Sequence, residues 1–147
     1  MFRLSARDKA VLILTLLLLL GYVAFRLSGG GFAAVEGRSM EPILHTGDLV
    51  VIIKKKDINK GDIVVYRSGS KFIIHRVIDK YEVNGYYCYI TKGDGNAIPD
   101  FGDPQACPPK RGFAGQPESS IVGVVLTIRG YPVKIPYIGS ITLLIRG

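Results

Sequence analysis

Residues 47–78 read GDLVVIIKKKDINKGDIVVYRSGSKFIIHRVI. Runs of β-branched and aromatic residues over 49–53, 63–66 and 72–78 are separated by Gly-Asp and Ser-Gly-Ser punctuation, and no helical spacing of apolar residues bridges them. Such side chains suit a pleated, half-buried surface, and glycine supplies the positive φ that tight turns need. The stretch therefore predicts short strands joined by turns. The pattern continues outward. Asn84-Gly85 predicts a hairpin turn leading into a strand over 86–90, and a further strand is expected over 121–128. GDLVVI and GDIVVY echo one another as a Gly-Asp turn feeding a β-branched strand, but two copies are too few for a repeat architecture. The fold class is mainly β, a single domain of short strands.

Two other regions break the pattern. Residues 99–117 are rich in Pro, Gly and polar side chains and read as a long surface loop. The tail, 131–147, ends in PYIGSITLLIRG. Its apolar part, 138–145, is too short to span a bilayer. It is expected to be a last strand packed on the core, with an edge dipping into the membrane interface as the other reading. If the chain continued, it could begin a second membrane helix.

Upstream, Arg3, Arg7 and Lys9 precede an apolar run over 10–27 whose core is VLILTLLLLLGYVAF. At ~1.5 Å per residue, about 18 residues just reach across a ~30 Å hydrocarbon core. A cleaved secretory signal has similar ingredients, but the run exceeds the usual ~7–15 residue apolar region of such signals, so an uncleaved anchor is expected. Positive charges before the run outnumber Arg26 at its far end, which puts the N-terminus in the cytoplasm and the β-domain outside, or in a lumen. The expected organisation is 1–9 cytoplasmic, 10–27 anchor, 28–35 linker and 36–147 extracytoplasmic domain.

The net charge of +7 raises nucleic acid as a partner, but only Lys54-Lys55-Lys56 is a dense basic run and no aromatics interleave with it. A lipid bilayer with anionic headgroups accounts for the charge, and no nucleic-acid partner is expected. Cys88 and Cys107 form no CxxC and have no clustered histidine, so no metal site is expected. In an extracytoplasmic domain they could be bridged; otherwise they are two buried thiols.

A serine hydroxyl is a weak nucleophile unless a base takes its proton, usually an imidazole oriented by a carboxylate. The chain has two histidines, His45 and His75. Ser39 lies in GRSMEP, His75 in IIHRV, and Asp94 and Asp100 in TKGDGNAIPD. Singly, each has a plain reading: a serine before a strand, a packed strand histidine, an Asp capping its own turn. As an ordered set, SMEPILHTGDLVVI, KGDIVVYR, IIHRVI, TKGDGNAIPD and IPYIGSITLLI, with the N-terminal anchor, resemble the type I signal peptidases over nearly the whole chain. The likeness is greatest to the archaeal and endoplasmic-reticulum branch, which has His where typical bacterial enzymes have Lys.

The resemblance implies a signal-peptidase-like β-domain and a membrane-bound serine endopeptidase that removes signal peptides from secretory precursors. It implies Ser39 as nucleophile, His75 as general base, Asp100 as the orienting carboxylate and Asp94 as a supporting residue. The residues alone leave the choice between Asp94 and Asp100 open, and Pro99 makes Asp100 look loosely held. The Ser39 N–H is one expected oxyanion donor. Some related enzymes carry a second donor two residues earlier, where Gly37 has no side chain, so another amide or a water would serve. Met40 is either an apolar plug at the substrate groove or a core residue. Glu41 and Pro42 shape the turn, and His45 competes with His75 as base. Accessory membrane subunits are compatible with the family, shallow apolar pockets would select small side chains before the cut, and no cofactor is implied. Two rivals stand beside this reading: a catalytically inactive tethered β-domain that binds a secretion partner, and a soluble self-cleaving Ser-Lys peptidase of the repressor type.

Overall fold

The computed structural model describes residues 5–141. Helix α1 (Ala6–Leu27) begins ahead of the expected residue 10 because Ser5 caps it. The Ser5 hydroxyl accepts the Asp8 N–H at 3.2 Å, and the Asp8 carboxylate accepts the Ser5 N–H at 3.0 Å, which satisfies two otherwise free donors. Its 22 residues span roughly 33 Å. No residue in the helix is buried, and among the described residues it is the one helix long and apolar enough to cross a membrane.

The remainder is β-structure: β1 (Gly31–Ala34), β2 (Leu49–Ile53), β3 (Ile63–Ser68), β4 (Lys71–Val83), β5 (Tyr86–Lys92), β6 (Gln116–Pro117), β7 (Ile121–Val125), β8 (Thr127–Ile128), β9 (Tyr131–Pro132) and β10 (Lys134–Ile135). The main sheet runs β1-β2-β7-β3-β4-β5-β6, every neighbour antiparallel, with β10 also paired to β2. The mainly β class expected from the sequence is what forms, with the long apolar helix ahead of it.

Three expectations need correction. The segment 28–35, read as a linker, contains β1, which pairs with β2 from Gly31 opposite Ile52 to Ala34 opposite Leu49. Its entry is packed: the Phe25 and Phe32 rings lie 5.7 Å apart, and Gly30 sits under Phe25, where a Cβ would come within 2.2 Å of the ring. The strand expected over 121–128 is two, β7 and β8, with Leu126 between them donating its N–H to the Val51 carbonyl and accepting the Val133 N–H. The strand expected over 138–145 is not extended in its described part. Tyr137 at φ 61° reverses the chain, 139–141 begin a helical turn, and 142–145 lie outside the described residues.

Alternation along the strands divides the core between the two sheet faces. Ile63 and Val65 join Val35, Met40, Leu44, Val50, Ile52 and Val125 in one cluster; Val64 and Tyr66 join Ile58, Val77, Tyr89 and Val124 in the other. The repeated Gly-Asp turn is a shared structure as well as shared sequence. Asp48 and Asp62 each donate their N–H to the carbonyl three residues back and accept that residue's N–H on the carboxylate. Gly47 at φ 92° and Gly61 at φ 99° supply the left-handed step. Cys88 and Cys107 are bridged, with Cα atoms 5.8 Å apart, which pins the loop over 99–117 to β5.

The Asp48 side chain is 3% exposed and meets Lys134 Nζ at 2.6 Å. Burial would raise its carboxyl, but the His45 N–H and the Lys134 ammonium outweigh burial and hold it below its ordinary value. Lys134 also donates to the Ile43 carbonyl at 2.9 Å, so β10 braces the 36–48 segment. A carboxyl depressed in the fold contributes stability above its unfolded pKa and loses it as pH falls through the folded value. Lys134→Met, which strands the Asp48 charge, is expected to cost about 2 kcal/mol at neutral pH and to flatten the acid dependence of the thermal midpoint in detergent. A parental midpoint at pH 7 would show that the pair carries no net stability.

Candidate active site

Ser39 belongs to the segment between β1 and β2. Its neighbours fix it from both sides. Met40 and Leu44, at 2% and 0% exposure, drop into the first core cluster, and the Leu44 N–H closes a helical turn on the Met40 carbonyl at 3.0 Å. Met40 is thus a core residue rather than a plug at a groove. Thr46 brackets Gly37, taking its N–H at 3.1 Å and donating to its carbonyl at 2.9 Å. Arg38 pairs with Glu41 at 3.1 Å on the surface, where an exposed pair contributes little.

His75 lies in β4 opposite Val64, on the face that carries Ile73 and Val77, and is buried. Its Nε2 is 2.9 Å from Ser39 Oγ and its Nδ1 is 2.6 Å from Asp100 Oδ2. Asp100 is held more firmly than its place after Pro99 suggested. Its N–H bonds the Thr91 carbonyl at 2.8 Å, and Oδ2 also accepts the Thr91 hydroxyl at 2.6 Å and the Tyr66 hydroxyl at 2.9 Å. Burial alone would raise the Asp100 carboxyl, but these hydrogen bonds from His75, Thr91 and Tyr66 hold it below its ordinary value. An ionised Asp100 can only accept, so the neutral imidazole donates from Nδ1 and leaves Nε2 free to accept the Ser39 hydroxyl proton.

Asp94 and Asp100, which the residues alone could not rank, lie apart in role. Asp94 bonds Arg76 through both oxygens, at 2.8 and 2.7 Å, and His75 pairs with Asp100 instead. His45 is exposed, and among the described residues its ring has no hydrogen bond to Ser39. The Ser39 N–H has no acceptor among the described residues. A cleft of about 580 Å³ opens beside Asp100, lined in part by Tyr66, Ile73, Ile98 and Phe101.

Sequence reading finds the turn after β5 but misses that it bears on Ser39. The Gly95 N–H donates to the Ser39 carbonyl at 2.8 Å, and Lys92 Nζ ties the turn by bonding the Asn96 carbonyl at 2.7 Å. Gly93 lies so near that a Cβ there would be 2.4 Å from the Ser39 carbonyl oxygen. The signal was the glycine on each side of Asp94, which reads equally as an ordinary turn. Tyr66 and Thr91 were missed because nothing in their strand sequences sets their hydroxyls apart from the others there. Hydroxyl, imidazole and carboxylate in line can remove the hydroxyl proton as the oxygen attacks a carbonyl.

The chain is similar in sequence to known proteins. The family described as Peptidase S24-like matches residues 23–87, less than half of the chain. The signal peptidase complex catalytic subunit SEC11 of Lodderomyces elongisporus is 33% identical over 147 aligned residues, covering 90% of this chain and 82% of that protein. SEC11 of Candida tropicalis is 36% identical over 110 residues, covering 73% of this chain and 60% of that protein. SEC11C of Canis lupus familiaris is 31% identical over 131 residues, covering 86% and 62%. The chain thus spans 60% of the length of several curated relatives it matches.

The contact at Gly93 gives a test independent of any substrate. The atom that a methyl would meet is backbone, so no rotamer relieves the overlap. Gly93→Ala is expected to cost about 1–3 kcal/mol and lower the thermal midpoint. Gly21→Ala, with open space on α1, should leave it unchanged. Equal midpoints for both variants would show that the turn does not bear on the Ser39 backbone.

Proposed function

The chain belongs to the SEC11-type signal peptidase family, and we propose that it is a membrane-anchored serine endopeptidase that removes signal peptides from secretory precursors. The observation that carries the proposal is the unbroken line Ser39 Oγ, His75 Nε2, His75 Nδ1, Asp100 Oδ2, with separations of 2.9 and 2.6 Å. This line supports the Ser-His-Asp form of the archaeal and endoplasmic-reticulum branch over a Ser-Lys dyad.

Ser39 Oγ attacks the scissile carbonyl carbon as His75 Nε2 takes its proton. The imidazolium, held by ionised Asp100, returns that proton to the leaving amine and the C–N bond breaks. Water, deprotonated by the same nitrogen, then releases the acyl group from Ser39. The free Ser39 N–H is one donor to the oxyanion; a second amide or a water supplies the other, since Gly37 has no side chain to offer. Asp94, through Arg76, supports the turn that bears on Ser39.

The proposed layout is a cytoplasmic N-terminal end, an anchor formed by α1, a short joint over 28–30 and the peptidase domain from β1 onward on the far side. Two observations support that side: positive charge concentrated before the helix, and a Cys88–Cys107 bridge, which persists in oxidising compartments. A precursor's signal segment in the same bilayer is presented at high effective concentration. Shallow apolar pockets then select small side chains before the cut. Accessory membrane subunits fit the same reading.

Ser39→Ala in detergent should abolish cleavage of a secretory precursor, read by mass spectrometry, with thermal midpoint and membrane association unchanged. Residual cutting at the parental rate would remove the serine mechanism.

The acid limb of the rate belongs to the base, because Asp100 is held ionised. Once His75 is protonated it cannot accept from Ser39, and the rate should fall about tenfold per pH unit. His75→Lys is the sharper variant. A lysine must be neutral to act, from a reference value near ~10.4, and the Asp100 charge favours its ammonium. It should be inactive at pH 7; parental cleavage with an unmoved acid limb would sink His75 as the base.

A further inference from the structure

The carboxylate of Asp100 is engaged on one side only. Oδ2 receives three donors: His75 Nδ1 at 2.6 Å, the Thr91 hydroxyl at 2.6 Å and the Tyr66 hydroxyl at 2.9 Å. No hydrogen bond to Oδ1 is found among the described residues. The two hydroxyls come from the strands on either side of β4, Tyr66 from β3 opposite Ile73 and Thr91 from β5 opposite Val77. Both are 1% exposed. We propose that Tyr66 and Thr91 are positioning residues of the proton relay: their hydroxyls clamp Asp100 Oδ2 from both neighbouring strands, so that it holds the His75 ring toward Ser39. The assignment rests on the Ser39-His75-Asp100 reading.

The need for a clamp follows from the chain around Asp100. The residue lies outside the sheet, after Pro99, with one backbone bond to Thr91 near it. Its two oxygens are equivalent, and a free carboxylate would turn about its last torsion, which is broad for Asp. Two fixed donors converging on one oxygen select one orientation. Both are hydroxyls, which orient the charge without cancelling it. Tyr66 stays a neutral donor, because burial pushes its phenol well above the usual range. The titratable groups facing this oxygen are His75 from β4 and Tyr66 from β3; the other nearby charges, Arg76 and Asp94, satisfy each other.

The plain alternative is that two buried hydroxyls have bonded the nearest acceptor. Nearly isosteric variants separate the two readings. Tyr66→Phe and Thr91→Val keep the packing, and Thr91→Ser keeps the donor. With a secretory precursor and the full chain in detergent, Tyr66→Phe and Thr91→Val should each lower kcat about tenfold with little change in KM, while Thr91→Ser keeps most of the rate. The acid limb of kcat/KM should move to higher pH, because a carboxylate relieved of a donor leaves more of its charge to the His75 proton. In an Asp100→Ala background the same substitutions should change the residual rate no further.

Parental kcat and an unmoved acid limb in Tyr66→Phe and Thr91→Val, beside a crippled Asp100→Ala, would overturn this assignment alone. So would equal losses in the Asp100→Ala background, which would mark a packing role. Parental activity in Asp100→Ala would overturn the relay reading and this assignment with it. If Tyr66→Phe fails to fold, the Thr91→Val and Thr91→Ser pair decides.

Discussion

The site depends on the two-residue period of β4. Successive side chains of a strand leave on opposite faces, so His75 and Arg76, adjacent in sequence, reach in different directions. His75 pairs with Asp100 and Arg76 pairs with Asp94. One short strand stretch thereby holds both ends of the segment after β5. That segment in turn reaches Ser39, through the Gly95 N–H. A one-residue slip of β4 would reverse both faces and separate every one of these partners. The register is secured by six residue pairs with β3, whose own apolar residues fill both core clusters.

Ser39 reaches His75 from outside the sheet, so its position must come from packing rather than from a ladder. Burial of Met40 and Leu44 supplies most of this, at about 1.5–3 kcal/mol for each large apolar side chain. The polar contacts add direction. Thr46 closes the neck of the segment on Gly37, and Lys134 and Asp48 brace its far end. The exposed Arg38–Glu41 pair adds little, since surface pairs are worth ~0–1 kcal/mol. Thus the residue that reacts is half-exposed while Met40 and Leu44 after it are buried, which keeps the hydroxyl accessible and its backbone fixed.

Local chemistry was legible and long-range chemistry was not. Strand 49–53 is read at both ends, and the Asn84-Gly85 turn forms with φ 48° and 86°, because β-branching and positive-φ tolerance act within a few residues. The long helix is legible from hydropathy, but its true start is set by the Ser5–Asp8 cap, a signal spread over polar residues before the apolar run. The Cys88–Cys107 bridge joins residues 19 apart, and spacing alone cannot say whether two thiols meet. The residues alone could not rank Asp94 and Asp100 for the same reason, and the order came from the resemblance. Both sit in turn-forming sequence, and what separates them is a partner 18 or 25 residues away. Tyr66 and Thr91 carry no local mark, because a buried hydroxyl is recognised only by the acceptor it meets.

The joint between helix and domain bears on how the proposed chemistry would work. A flexible linker over 28–35 would let the domain wander above the bilayer. Instead, β1 begins four residues after α1 ends, Gly30 packs beneath the Phe25 ring, and the Lys54 stem lies over Gly29. Only 28–30 lie between helix and strand, and these contacts hold them. β1 then continues through Val35, whose carbonyl binds the Gly47 N–H, into the segment that carries Ser39. The chain from membrane span to reacting hydroxyl is therefore packed along its length. If the span lies in a bilayer, Ser39 sits at a height fixed by the protein rather than by a tether. A substrate anchored in the same bilayer meets the hydroxyl at a set distance from the surface. Under the proposed activity, that distance, together with pocket shape, selects which peptide bond is cut, a constraint that a soluble protease with the same side chains would lack.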